Sequence, residues 1–148
     1  MAQLSQNQYV LIDMGAWRMA LPQSDVVSVE LLSDAICTRK GRRLVWWIKW
    51  RETRMEILAL DAEANSADVE DVDGNVLVLL GEGKTPSLGL ACANIEVIDA
   101  SDVSNEVILP TVMAKALNLF SHLAMHRGEL LCISELTKLE VYLQQAAN

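Results

Sequence analysis

No apolar run in this chain approaches the roughly 20 residues that a membrane-spanning helix needs, so a helical anchor within the sequence is not expected. The first residues, Met1 to Gln8, lack the basic head and apolar segment of a signal peptide, and the expected location is cytoplasmic. Cysteine is scarce: Cys37, Cys92 and Cys132 are odd in number, widely spaced and set among apolar neighbours. That excludes a disulfide framework and reads as three reduced, small hydrophobic residues. Regular alternation of strand and helix periods is also missing, and with it the doubly wound α/β class. The net charge of −8 argues against general affinity for nucleic acids.

What the chain does have is apolar mass and tryptophan. Half its residues are hydrophobic (51%) and under a quarter are charged (22%), so it can bury a real core. At 148 residues it suits one domain, or two small subdomains sharing a core. Three of its four tryptophans, Trp46, Trp47 and Trp50, fall in residues 44–60. Alternation there puts Leu44, Trp46, Ile48 and Trp50 on one strand face, and Val45, Trp47, Lys49 and Arg51 on the other. A polar group, Arg51-Glu52-Thr53-Arg54, separates this arm from the run Met55 to Leu60, so a hairpin is predicted. The Trp46/Trp50 face is expected to be buried, because so much aromatic area is costly to leave wet. The Trp47/Lys49/Arg51 face and the hairpin tip are then candidates for meeting another protein.

The rest of the chain reads as short strands. Tyr9 to Met14 and Trp17 to Leu21 form a predicted hairpin that Pro22 ends by removing a backbone donor. Ser24-Asp25 is placed to cap a helical turn, and Val26-Val27-Ser28-Val29 is extended. Residues 33–43 are polar, basic and glycine-containing, and read as a loop. Residues 61–74, rich in acids and alanine, are the candidate connection between two halves, the second beginning near Gly74. Val76 to Leu80, Ser87 to Cys92 and Ile95 to Ile98 are strands, and Pro110 to Leu117 is a short helix. Leu119 to Met125 and Glu129 to Ile133 pair across the His126-Arg127-Gly128 turn. Ser134 to Asn148 is a helix with Ser134 as N-cap and an apolar stripe of Leu136, Leu139 and Leu143. Many short strands and one terminal helix indicate a mainly β protein built of small barrels side by side.

Several strings imitate functional motifs without completing them. Gly81-Glu-Gly-Lys-Thr85 echoes a phosphate-binding loop, but the pattern needs glycine where Val78 stands and a helix where Pro86 stands. Asp71-Val-Asp-Gly74 echoes a calcium loop, but position 69 is valine and the closing glutamate is missing. Both read as turns. His122 and His126 lie near Cys132, yet no further ligand completes a metal set. Cys132, between Leu131 and Ile133, reads as core before it reads as a nucleophile. The carboxylates sit in loops or beside charges of their own sign, with no catalytic pair. The expectation is a protein that is not an enzyme and needs neither metal nor cofactor.

Charge is unevenly spread. Seven of the 12 basic residues fall between Arg39 and Arg54, just before the acids Asp61, Glu63, Asp68, Glu70, Asp71 and Asp73. Such runs are more often solvated loops and strand faces. The alternative function is a small β-barrel binding single-stranded nucleic acid, with Trp47 or Trp50 as stacking platforms inside the basic cluster.

The order of elements resembles the CheW-like domain, the chemotaxis coupling adaptor, over about Tyr9 to Leu139. Tyr9 to Pro22 resembles that family's opening hairpin, which ends in an Ala-Leu-Pro-type step. Val26-Val-Ser-Val29 falls at its Val-x-Glu-Ile-type segment. Trp46 to Leu60 falls at its Gly-x-x-Asn-Leu-Arg-Gly and Pro-Val-x-Asp-Leu motifs, with Arg51 on the arginine and Leu60 on the last leucine. Val76 to Leu80, Gly89 to Cys92 and Ile95 to Val97 resemble its Val-rich strand and Gly-Leu-x-Val-Asp-x-Val segment. Glu129 to Leu139 resembles its closing strand and the start of its last helix. Glu52, Glu56, Ala59 and Ala93 replace the family's glycine, proline and two aspartates, and Ser28 a common glutamate. These departures mark a divergent member, of the ChpC or PilI sort found beside pilus-linked chemosensory systems.

The resemblance implies two five-stranded, SH3-like β-barrel subdomains, intertwined around a shared hydrophobic core in one domain over 1–148, with a C-terminal helix. It also implies a non-catalytic adaptor, without cofactor, bridging a methyl-accepting chemoreceptor and a CheA-type histidine kinase. In the family the groove between subdomains takes the receptor, and the barrel ends pair with the kinase's homologous domain. Carried over by position, Val26 and Arg51 are the expected partner contacts, with Val27, Lys49 and Glu52 added by proximity.

Overall fold

The computed structural model describes residues 8–41, 43–60, 67, 69–72, 74–104 and 120–147. The first hairpin is β1 (Gln8–Asp13) and β2 (Arg18–Pro22). Then come β3 (Val26–Leu31), β4 (Ile36–Lys40), β5 (Arg43–Trp50) and β6 (Thr53–Leu58). After the acidic connection follow β7 (Val76–Glu82), β8 (Thr85–Cys92), β9 (Asn94–Asp99) and the two-residue β10 (Val103–Ser104). The chain closes with β11 (His122–His126), β12 (Glu129–Ile133) and the helix α1 (Leu136–Ala147). The protein is mainly β, as the alternation and short apolar runs predict.

The strands form two curled six-stranded sheets, ordered β10-β11-β12-β2-β1-β9 and β3-β7-β8-β6-β5-β4. Among the described residues all pairings are antiparallel except β12 with β2 and β6 with β8. The chain enters the second sheet at Val26 and leaves it at Cys92, so the first hairpin and the last strands together build the other sheet. Each sheet has six strands where the resemblance implies five. In the first the extra pairing is the two-residue β10, and in the second the edge strand β4 completes the count.

Period-two alternation sorts the apolar residues into three cores. On β7, Val78 and Leu80 face a core shared by both sheets, whereas Leu77 and Leu79 face one enclosed by the second sheet. On β8, Leu88, Leu90 and Cys92 join the shared core and Ala91 the enclosed one. In the first sheet, Val10, Ile12, Met19, Leu21 and Cys132 point to the shared core, and Leu11, Ala20, Leu131 and Ile133 to its own. Strands buried on both faces read as unbroken hydrophobic runs, which is why Val76 to Leu80 shows no polar residue. The helix adds Leu136 and Leu139 to the shared core, with Tyr142 and Leu143 packed on it.

Local expectations change in three places. Residues 33–43 contain β4, a strand whose Thr38 and Arg39 made it look like a loop; charged and polar residues are how an exposed edge avoids pairing with other chains. Ser24 and Asp25 lie inside a short 3-10 turn whose N-cap is Pro22, and make no cap for it. Asp25 instead accepts a hydrogen bond from the backbone N–H of Leu136 at 3.1 Å, capping α1 across the fold. On β5, Ile48 is buried (6% exposed), Trp46 and Trp50 only half-buried, and Leu44 exposed (49%). The face is correctly paired, but β5 lies next to the edge, so only its middle reaches the enclosed core. The helix expected over Pro110 to Leu117 and most of the acidic connection lie outside the described residues.

Candidate partner-binding site

Strand directions gather the expected contact residues at one end of the second sheet. Val26 pairs with Leu80 at the lower end of β7, and Glu82 pairs with Thr85 across the next turn. Because β6 runs parallel to β8, Thr53 and the Arg51-Glu52 turn lie at that same end. Three strand spacings separate β3 from β6, on the order of 14 Å. The five residues therefore share an end of the sheet without forming one cluster.

Their surroundings differ. Val26 is half-buried and packs against the shared core, so part of its role is structural. The register of β3 shifts between Val26 and Ser28, leaving Val27 as the extra residue of a bulge. Arg51 and Glu52 are exposed at the hairpin tip. Arg51 has φ of 53°, a left-handed conformation that costs a non-glycine residue about 1–2 kcal/mol. Its guanidinium lies 4.4 Å from the centre of the Trp50 ring. Lys49 is exposed and directly opposite Arg54, whose guanidinium lies 3.7 Å from the centre of the Trp47 ring. Glu52 and Glu56 lie near Arg51 and Arg54 in sequence, yet among the described residues neither arginine forms an ion pair.

The sequence reading did not single out Val29, Leu31 and Val97, and all three are exposed, Leu31 most (56%). Val29 and Leu31 stand opposite Val78 and Val76, and Val97 opposite Val10, so all three lie on the shared-core side of their sheets. Here β3 and β9 are edge strands, and the apolar layer between the sheets runs out to water at both margins. The alternation of Val29 with Glu30 and Leu31 was a visible signal; that Val29 and Leu31 are exposed was not.

Of the residues weighed for chemistry, Cys132 and His126 are sequestered. Burial pushes the Cys132 thiol up to about 11, and burial with the nearby Asp13 charge pushes the Cys92 thiol up to about 12. Thiols so held stay protonated and poorly nucleophilic. His126 is buried, and its ring nitrogens have no hydrogen-bond partner among the described residues. Among the described residues no three of His, Cys, Asp and Glu come together as a metal site, and no helix is long and apolar enough to cross a membrane. For the stacking alternative, Trp47 and Trp50 each carry an arginine over the ring, and Trp46 and Trp50 also pack on the enclosed core.

No family model and no curated protein matches this sequence. Fourteen chains of solved structures do match. One is the scaffolding protein TtCheW from Thermoanaerobacter tengcongensis, 13% identical, covering 88% of this chain and 90% of that one with a TM-score of 0.57. The fold is CheW-like. At that identity the likeness rests on the pattern of strands and cores and not on individual residues. The departures from the family's motifs have local settings: Ala59 is buried in the enclosed core, and Glu56 sits on β6 opposite Trp47. Ala93, at the step from β8 to β9, donates its N–H to the Asp13 carbonyl at 2.8 Å, next to the Asp13–Asn94 pair of the β1–β9 ladder.

Proposed function

We propose that this chain is a non-catalytic adaptor of a chemosensory array, coupling a chemoreceptor to a CheA-type histidine kinase in the cytoplasm. The observation that carries the reading is the CheW-like fold over 88% of the chain, shared with a protein described as a scaffold. The exposed apolar margins at Val29, Leu31 and Val97 suit it, because a receptor's helical tip needs an apolar seat beside the groove between the sheets. Val26, Val27, Lys49, Arg51 and Glu52, at one end of the second sheet, are the further proposed partner contacts. The replaced motif positions, Glu52, Glu56, Ala59 and Ala93, favour a partner set other than the ordinary flagellar one, of the pilus-linked kind. The covered tryptophan rings disfavour the nucleic-acid alternative.

The test is calorimetric titration of the purified chain with a receptor-tip fragment and with a kinase regulatory domain from the same cell. Both should bind. Leu31→Asp should abolish receptor-tip binding, and Arg51→Ala should cost ~2 kcal/mol or more of affinity for one partner, with unfolding midpoints little changed. If neither fragment binds the unaltered chain, the adaptor reading fails. If Arg51→Ala lowers stability but not affinity, Arg51 is scaffold, and the contact must be sought around Val26.

A further inference from the structure

The outer face of the β4–β5–β6 margin holds an arrangement that folding alone does not reward. Lys49 on β5 and Arg54 on β6 are direct cross-strand partners, and like charges in that position repel. Both are exposed, and among the described residues neither is paired with a carboxylate. Arg54 is held over the Trp47 ring, where cation–π attraction fixes the guanidinium but leaves its in-plane N–H donors unspent. Ile36 on the edge strand β4 stands opposite Trp47 on the same face and is 46% exposed. Two unpaired cations, one pre-positioned by an aromatic ring, thus lie one cross-strand row toward the hairpin tip from an exposed apolar side chain, and Glu56, opposite Trp47, shares the face. All this lies in a chain whose net charge is −8 and whose basic residues concentrate here.

We infer that this face is a docking surface for a carboxylate-bearing protein segment, with an acidic side chain received between Lys49 and Arg54 and an apolar neighbour on Ile36. Charge complementarity names the partner's chemistry: a carboxylate would relieve the Lys49/Arg54 repulsion and take the fixed fork of Arg54 in a directional pair. A nucleic-acid strand fits less well, since the ring that would stack a base already carries Arg54. The surface is separate from the exposed margins of β3 and β9 but shares Lys49 with the contacts proposed above, and the peptide probe tests it without either adaptor partner.

The probes are a ten-residue peptide of glutamate with two leucines and a decathymidine oligonucleotide. Each is titrated at low and at physiological salt, following tryptophan fluorescence. The peptide should bind, more weakly as salt rises, and at least tenfold more weakly to Lys49→Glu and to Arg54→Ala. Lys49→Glu should at the same time unfold at higher denaturant, because it turns a like-charge cross-strand pair into an opposite one. A purely structural pair would not give lost binding together with raised stability. Absence of peptide binding, equal binding by the variants, or equal or tighter binding of the oligonucleotide would each overturn the inference.

Discussion

The carboxylate of Asp25 joins parts of the chain 111 residues apart, accepting from Leu136 N–H at the start of α1. Two effects compete there. The hydrogen bond lowers its pKa, but partial burial, followed by the nearby charges of Glu135, Glu82 and Glu140, raises it above its ordinary value of 3.8. The net direction is up, so the folded protein holds this proton more tightly than the unfolded chain does. A carboxyl raised in this way contributes stability below its unfolded pKa, and that contribution is lost as pH climbs through the folded value. Asp25→Asn keeps an oxygen acceptor for Leu136 and removes the charge. The variant is expected to be more stable than the parent at pH 7, with the gap closing as pH falls below the carboxylate range. Urea titrations from pH 3 to pH 8 would check this; a variant less stable at pH 7 would mean that the helix dipole outweighs burial.

At the scale of elements, the tryptophan-rich hairpin shows how position in a sheet sets the value of a side chain. Ile48 lies within the enclosed core with Met55 and Ile57, whereas Trp46 and Trp50 cover that core from its rim. The indole N–H of Trp46 is buried without a hydrogen-bond partner among the described residues, a penalty that truncation removes. Ile48→Ala should therefore cost about 2–5 kcal/mol, and Trp46→Ala less than the 3–5 kcal/mol of a fully buried aromatic. Denaturant midpoints of the two variants would rank them; a larger loss for Trp46 would place the enclosed core nearer the sheet edge. The hairpin itself was readable from its β-favouring residues and polar break. Its half-wet face was not, since alternation tells which residues share a side and says nothing about how far the core extends beneath them.

For the molecule as a whole, the shared core makes the two sheets and α1 interdependent. The helix is twelve residues long, short enough to be marginal on its own in water, and it seals the core with Leu136 and Leu139. Truncation after Ile133 should give a chain that unfolds without a cooperative transition and self-associates through the uncovered layer, seen by thermal melts and size-exclusion chromatography. A truncated chain that stays monomeric with an unchanged midpoint would show α1 to be a detachable tail. The sequence by itself determined the β character, the strands at Val76 to Leu80 and Ser87 to Cys92, the Trp-rich hairpin and the closing helix. Each of these is written in a local period or a local propensity. Only the tertiary structure decided that β1 and β2 join β9 to β12, that the polar segment Ile36 to Lys40 is an edge strand, and that Asp25 caps α1. It alone also set Lys49 against Arg54 beside a covered Trp47. Strand pairing joins residues far apart in the chain, and whether a strand lies at an edge follows from that pairing, so neither leaves a periodic mark in the sequence.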